Sequence, residues 1–128
     1  MSEPVVPTGA DALPDTDLAS LERLKRFGGG KLLGEMISLF LTTAPERIAA
    51  MHAGLDKQDA KAAELALHSL KSSAAQLGAL RMQRLCEKGE SLAKTGALGD
   101  VAGLVREIDG EYPRVQAWLE QARQTEVA

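Results

Sequence analysis

Apolar side chains recur along this chain every three or four positions, the period of helices that bury one face. Asp15, Thr16 and Asp17 each offer a cap for a first helix, in which Leu18, Leu21, Leu24 and Phe27 recur three apart. Gly28-Gly29-Gly30 closes it, since glycine tolerates the left-handed backbone that ends a helix. A second stretch runs from about Lys31 to Leu55, with Leu33, Met36, Ile37, Phe40, Ala44, Ile48, Met51 and Leu55 as its stripe. Pro45 lacks a donor and crowds the Leu41 carbonyl. The stripe stays in phase across it, which favours one kinked helix over a restart at a Thr43–Glu46 capping box.

Asp59 can cap a third helix that reaches Leu77, and Gly78 marks its end. A fourth spans about Leu80 to Lys94, with Leu85, Cys86, Leu92 and Ala93 facing inward. Gly96 and Gly99 form the next loop. Asp100 then caps a last helix bearing Val101, Leu104, Val105, Ile108, Val115, Trp118 and Leu119, bent near Pro113. The pattern predicts an all-α fold: an antiparallel up-down four-helix bundle with a short additional N-terminal helix. Residues 1–14 hold Pro4, Pro7 and Pro14 without a period and read as a flexible tail, leaving 15–124 as a single bundle domain.

Composition narrows the function classes. Aromatics are only 3% of the 128 residues, so aliphatic side chains must build the core, which suits helices. A net charge of −3 is the wrong sign for a nucleic-acid footprint. Cys86 stands alone, which excludes an internal disulfide and a thiolate cluster, and its apolar neighbours suggest a buried thiol. His52 has no acidic cluster around it in the sequence, so no metal site is expected. The opening residues lack a basic start and an apolar run, and no stretch approaches the roughly 18 to 20 apolar residues of a membrane span. A cytoplasmic location is expected.

One histidine is out of place. With Leu70 at zero and roughly 100° per residue, Ala63, Ala66, Leu67, Ser73, Ala74 and Leu77 fall within about 60° of it as a core arc. His68 lands at about 160°, near the middle of the opposite face. Lys71 and Ser72, three and four positions on, are its helical neighbours, and Ala75 follows. Lys61 and Glu64 share that face. A reachable imidazole framed by small side chains and one cation suits reversible phosphoryl carriage, because a positive charge can meet phosphoryl oxygens. On geometry alone, such a histidine is more often an ordinary surface residue.

The segment His68-Ser-Leu-Lys71-Ser-Ser-Ala-Ala-Gln-Leu-Gly78-Ala resembles the signature helix of histidine-containing phosphotransfer (Hpt) domains. Leu39-Phe-Leu-Thr-Thr-Ala-Pro-Glu-Arg-Ile48 resembles the family's second helix, and Leu85-Cys-Glu-Lys-Gly-Glu90 the start of its fourth-helix motif. The resemblance covers roughly residues 18 to 122. It implies that His68 accepts a phosphoryl group from a receiver-domain aspartate and passes it to another response regulator. It further implies that Lys71 stabilises the phosphoryl group and that Glu90 orients the imidazole, where the alternative for Glu90 is a plain solvated acid. Partners would be receiver domains and a hybrid histidine kinase, and the chain is expected to be a monomer. Leu65, Ser69, Ser72 and Ala75 would form the docking strip, with Lys61 and Glu64 on its rim.

Two positions depart from the family pattern. Ser72 replaces a glycine, and its hydroxyl could donate to the phosphoryl group or bond back to the backbone. Gly89 replaces a bulky aliphatic and is expected to leave space beside the core. No phosphate loop or nucleotide-binding block is present, so no cofactor is expected, a phosphocarrier is favoured over an enzyme, and Mg²⁺ is assigned to the receiver. A helical adaptor that binds receivers without being phosphorylated remains the alternative reading.

Overall fold

The computed structural model describes residues 15–127, with side chains to Thr125. The expected tail over residues 1–14 lies outside them. Four helices follow one another: α1 (Leu18–Asp56), α2 (Ala60–Leu77), α3 (Leu80–Lys94) and α4 (Leu98–Val127). No strand occurs among the described residues. Short connections force each helix back along its predecessor, and α4 closes the bundle against α1.

Inside α1, Gly29 adopts φ 78° and ψ 177°, so the chain turns where the triple glycine predicts a stop. The short segment before it is the expected extra N-terminal helix. Asp17 caps it, its carboxylate accepting from the Ala19 amide. Of the four residues spaced three apart, only Leu21 is fully buried; Leu18 and Phe27 face solvent. A three-residue spacing drifts around a helix of 3.6 residues per turn, so the ends of that row leave the core.

Past Pro45 the helix continues without leaving helical dihedrals, so the capping-box restart does not occur. Thr43 Oγ1 donates to the Leu39 carbonyl at 2.9 Å. The Leu41 carbonyl, which loses its amide donor to the proline ring, accepts from Tyr112 Oη of α4 at 3.4 Å.

The bounds of α2 and α3 agree with the pattern. Asp59 accepts from the Ala62 amide, and Gly78 closes α2 at φ 79°. A Cβ on Gly78 would lie 2.5 Å from the Asp17 carbonyl oxygen, so glycine also admits the chain that enters α1. Asp17 N–H donates to Gly78 O at 2.8 Å and Arg81 N–H to Asp15 O at 3.0 Å, tying the N-terminal segment to the α2–α3 corner. The last helix departs from expectation. It starts at Leu98, so Asp100 sits in its first turn, where a carboxylate favours the positive helix end, and Gly99 is helical.

The core is aliphatic and includes Ile37, Met51, Leu67, Leu70, Met82, Val105, Ile108 and Leu119. Burying a side chain of this size is worth about 1.5–3 kcal/mol, and the eight come from all four helices. Cys86 is among the buried residues, and burial pushes its thiol up to about 12, so it is an inert hydrophobe.

Candidate functional site

The cap at Asp59 and the stop at Gly78 set the rotation of α2. Ala63, Ala66, Leu67, Leu70, Ala74 and Leu77 are buried, and Ser73 sits at the arc's edge, partly exposed. His68 stands between two fully buried leucines, Leu67 and Leu70, with its own side chain 56% exposed.

Gly89 lets α3 come close at this level. A Cβ there would lie 3.1 Å from Leu67 Cδ2 and 3.2 Å from Leu67 Cδ1. The expected empty space beside Gly89 is therefore absent: the Leu67 side chain occupies it. The close approach places the next residue, Glu90, against the base of the histidine.

Glu90 is not a solvated acid. Its side chain is 9% exposed, and its two oxygens serve different partners. Oε2 lies 2.9 Å from His68 Nδ1 and Oε1 lies 2.7 Å from Lys71 Nζ. A second ammonium, Lys94 Nζ, stands 4.0 Å from Oε2. Burial pushes the Glu90 carboxyl up, but its contacts with Lys71 and His68 outweigh that and hold it below its ordinary range. The Glu90 contact in turn raises the Lys71 ammonium.

An ionised carboxylate only accepts, so His68 Nδ1 must carry the proton that it donates to Glu90. In the neutral ring the lone pair then resides on Nε2, which makes no hydrogen bond or ion pair among the described residues. The arrangement leaves the imidazole exposed to solvent with its Nδ1 engaged by Glu90 from below.

The other sequence-predicted residues divide. Leu65, Ser72 and Ala75 lie exposed along the same strip, with Ser69 half-buried. Lys61 Nζ stands 3.6 Å from Glu64 Oε1, so the two rim charges are paired. Ser72 Oγ donates back to the His68 carbonyl at 3.2 Å, which selects the backbone role over a free donor. Lys71 differs from the open cation pictured from the sequence: its ammonium is engaged by Glu90. Lys94 was missed, although its place four residues after Glu90 is the spacing of helical neighbours. His52 Nε2 pairs with Asp109 at 2.9 Å, linking α1 to α4. Among the described residues no three His, Cys, Asp or Glu side chains converge to hold a metal.

Comparison with known proteins gives the same direction. The crystal structure of histidine-containing phosphotransfer protein B from Pseudomonas aeruginosa PAO1 matches with a TM-score of 0.83 and 26% identity, covering 88% of this chain and 96% of that one. A search of curated proteins gave no match. The Hpt domain family model matches residues 35–125, which include α2, α3 and the whole His68 site. The chain belongs to the Hpt domain family.

Proposed function

We propose that this chain is a phosphorelay intermediate of two-component signalling that carries a phosphoryl group on His68 Nε2. The observation that supports this reading most is the exposed imidazole whose Nδ1 proton is held by a buried carboxylate. The Nε2 lone pair attacks the phosphorus of a receiver's phospho-aspartate. The N–P bond forms, the acyl O–P bond breaks, and the aspartate leaves as carboxylate with the electron pair. No proton has to move, because the ring keeps its Nδ1 hydrogen and the resulting formal positive charge faces Glu90. Attack by a second receiver's aspartate on the phosphohistidine reverses these bonds.

Lys71 is the cation one turn along that supports the phosphoryl oxygens. Receiver domains are the partners, one donating and one accepting, with a hybrid histidine kinase as the upstream source. Mg²⁺ is contributed by the receiver. The chain acts as a carrier without its own ATP site, working as a monomer in the cytoplasm. Among the described residues, no helix is long and apolar enough to cross a membrane.

Mixing the protein with a radiolabelled phospho-receiver, and separately with labelled ATP alone, tests the reading. Acid-labile label is expected from the receiver and none from ATP. Stable complex formation without label would instead show a receiver-binding adaptor, and label from ATP alone would show a kinase activity.

A further inference from the structure

The buried Glu90 carboxylate and the incoming phosphoryl group both call on one ammonium, that of Lys71. Lys71 Nζ lies 2.7 Å from Glu90 Oε1 in the unphosphorylated protein. If Lys71 supports a dianionic phosphoryl group on Nε2, as the carrier reading has it, its ammonium has to turn from Oε1 toward that group. Oε2 still faces the positively charged ring, but Oε1 loses its charged partner, and in a carboxylate that is 9% exposed that carries a desolvation cost.

A replacement stands ready. Lys94 extends from α3 one turn after Glu90, with its side chain 59% exposed and Nζ 4.0 Å from Oε2. That oxygen is also the one facing His68 Nδ1. The separation exceeds the 2.7–2.9 Å of a charge-assisted hydrogen bond, so contact needs a movement of only about 1 Å by a flexible lysine. Lys94 is marginal in the resting state and free to close.

We propose that Lys94 is a positioning residue for the phosphorylated state, taking over the Glu90 carboxylate as Lys71 turns to the phosphoryl group. This rests on the phosphoryl-carrier reading above. The two lysines divide the work: Lys71 serves the phosphoryl oxygens, and Lys94 keeps Glu90 ionised and seated beneath the ring. The phosphohistidine is thereby held with its Nδ1 proton paired.

The test compares phosphohistidine lifetimes of full-length wild type, Lys94→Met, Lys94→Arg, Lys71→Ala and the Lys71→Ala/Lys94→Met double variant, each labelled from a phospho-receiver and then freed of it. Lys94→Met keeps the length and removes the charge. It should shorten the half-life about threefold, the scale of a partly exposed ion pair, and Lys94→Arg should restore it. In the Lys71→Ala background Lys94 holds Glu90 in both states, so the second substitution should change the lifetime little. Nitrogen-detected NMR of the lysine ammonium groups should show Lys94 Nζ protected only after phosphorylation. Wild-type protein that takes no label overturns the carrier reading and this inference with it. A labelled wild type whose lifetime equals that of Lys94→Met overturns this inference alone, and shows that Lys71 bridges both anions. A lifetime shortened equally in both backgrounds, or not restored by arginine, also overturns it.

Discussion

Lys71 on α2 and Glu90 on α3 meet at 2.7 Å, and the same carboxylate holds His68 Nδ1 at 2.9 Å. Under the proposed carrier role, replacing either residue should therefore act on both the ring and the phosphoryl group. Lys71→Ala should slow phosphoryl acceptance several-fold and also loosen Glu90, because one charge-assisted contact is lost in each state. Stopped-flow transfer rates at saturating receiver in moderate salt check this; unchanged rates would reduce Lys71 to a structural partner of Glu90.

Two buried acids predict opposite responses to pH. Glu90 is held below its ordinary 4.5, so its stabilisation is present above that value and disappears as pH falls through the depressed folded value. Burial, with Asp15 nearby, raises Glu111 despite Arg81 and Arg114 at 3.5 and 3.9 Å. Its charge thus costs stability at neutral pH, and the cost is relieved as pH falls through the raised value toward 4.5. Melting temperatures between about pH 3 and pH 7 should show Glu90→Gln below wild type at neutral pH and converging in acid. Glu111→Gln should melt above wild type at neutral pH, with the gain shrinking toward acid.

Gly89 sets the spacing between α2 and α3 through Leu67. Gly89→Ala gains about 1 kcal/mol of helix propensity but pushes a Cβ to 3.1 Å from Leu67 Cδ2, so its denaturation midpoint should stay near wild type. Gly89→Leu overpacks the contact and should cost about 1–3 kcal/mol. It should also slow transfer, since Glu90 moves with the helix. Denaturant midpoints and transfer rates of both variants provide the check.

The strip of Leu65, His68, Ser72 and Ala75 is exposed, and transient signalling contacts are small, below about 1,200 Å². One oversized side chain should spoil docking, so Ala75→Arg and Ser72→Trp should block transfer from every receiver in a panel while circular dichroism stays unchanged. Lys61→Glu should instead shift preference among receivers, as it unpairs Glu64 at the rim. A normally folded Ala75→Arg that accepts phosphate at the wild-type rate would place docking elsewhere.

Much of this architecture is legible in the sequence because caps and stops are local. Asp59, Gly78 and the core arc of α2 follow from side-chain chemistry and a 100° step, and with them the exposure of His68. What could not be read depends on packing between helices. The burial of Glu90 and its grip on Lys71 require knowing that Gly89 draws α3 against Leu67. Glu111 looks like any surface acid until α3 brings Arg81 beside it. The start of α4 at Leu98 was hidden because Gly99 reads as a loop, although the first turn of a helix tolerates it.

The proposed attachment of the phosphoryl group to His68 Nε2 can be tested directly. Phosphorus- and nitrogen-detected NMR of the protein labelled by a phospho-receiver should show one phosphohistidine, at position 68, bonded through Nε2 with Nδ1 still protonated. His68→Gln should abolish the signal while leaving the melting temperature nearly unchanged, because an exposed side chain contributes little to stability. A signal that survives His68→Gln, or a bond through Nδ1, would contradict the account.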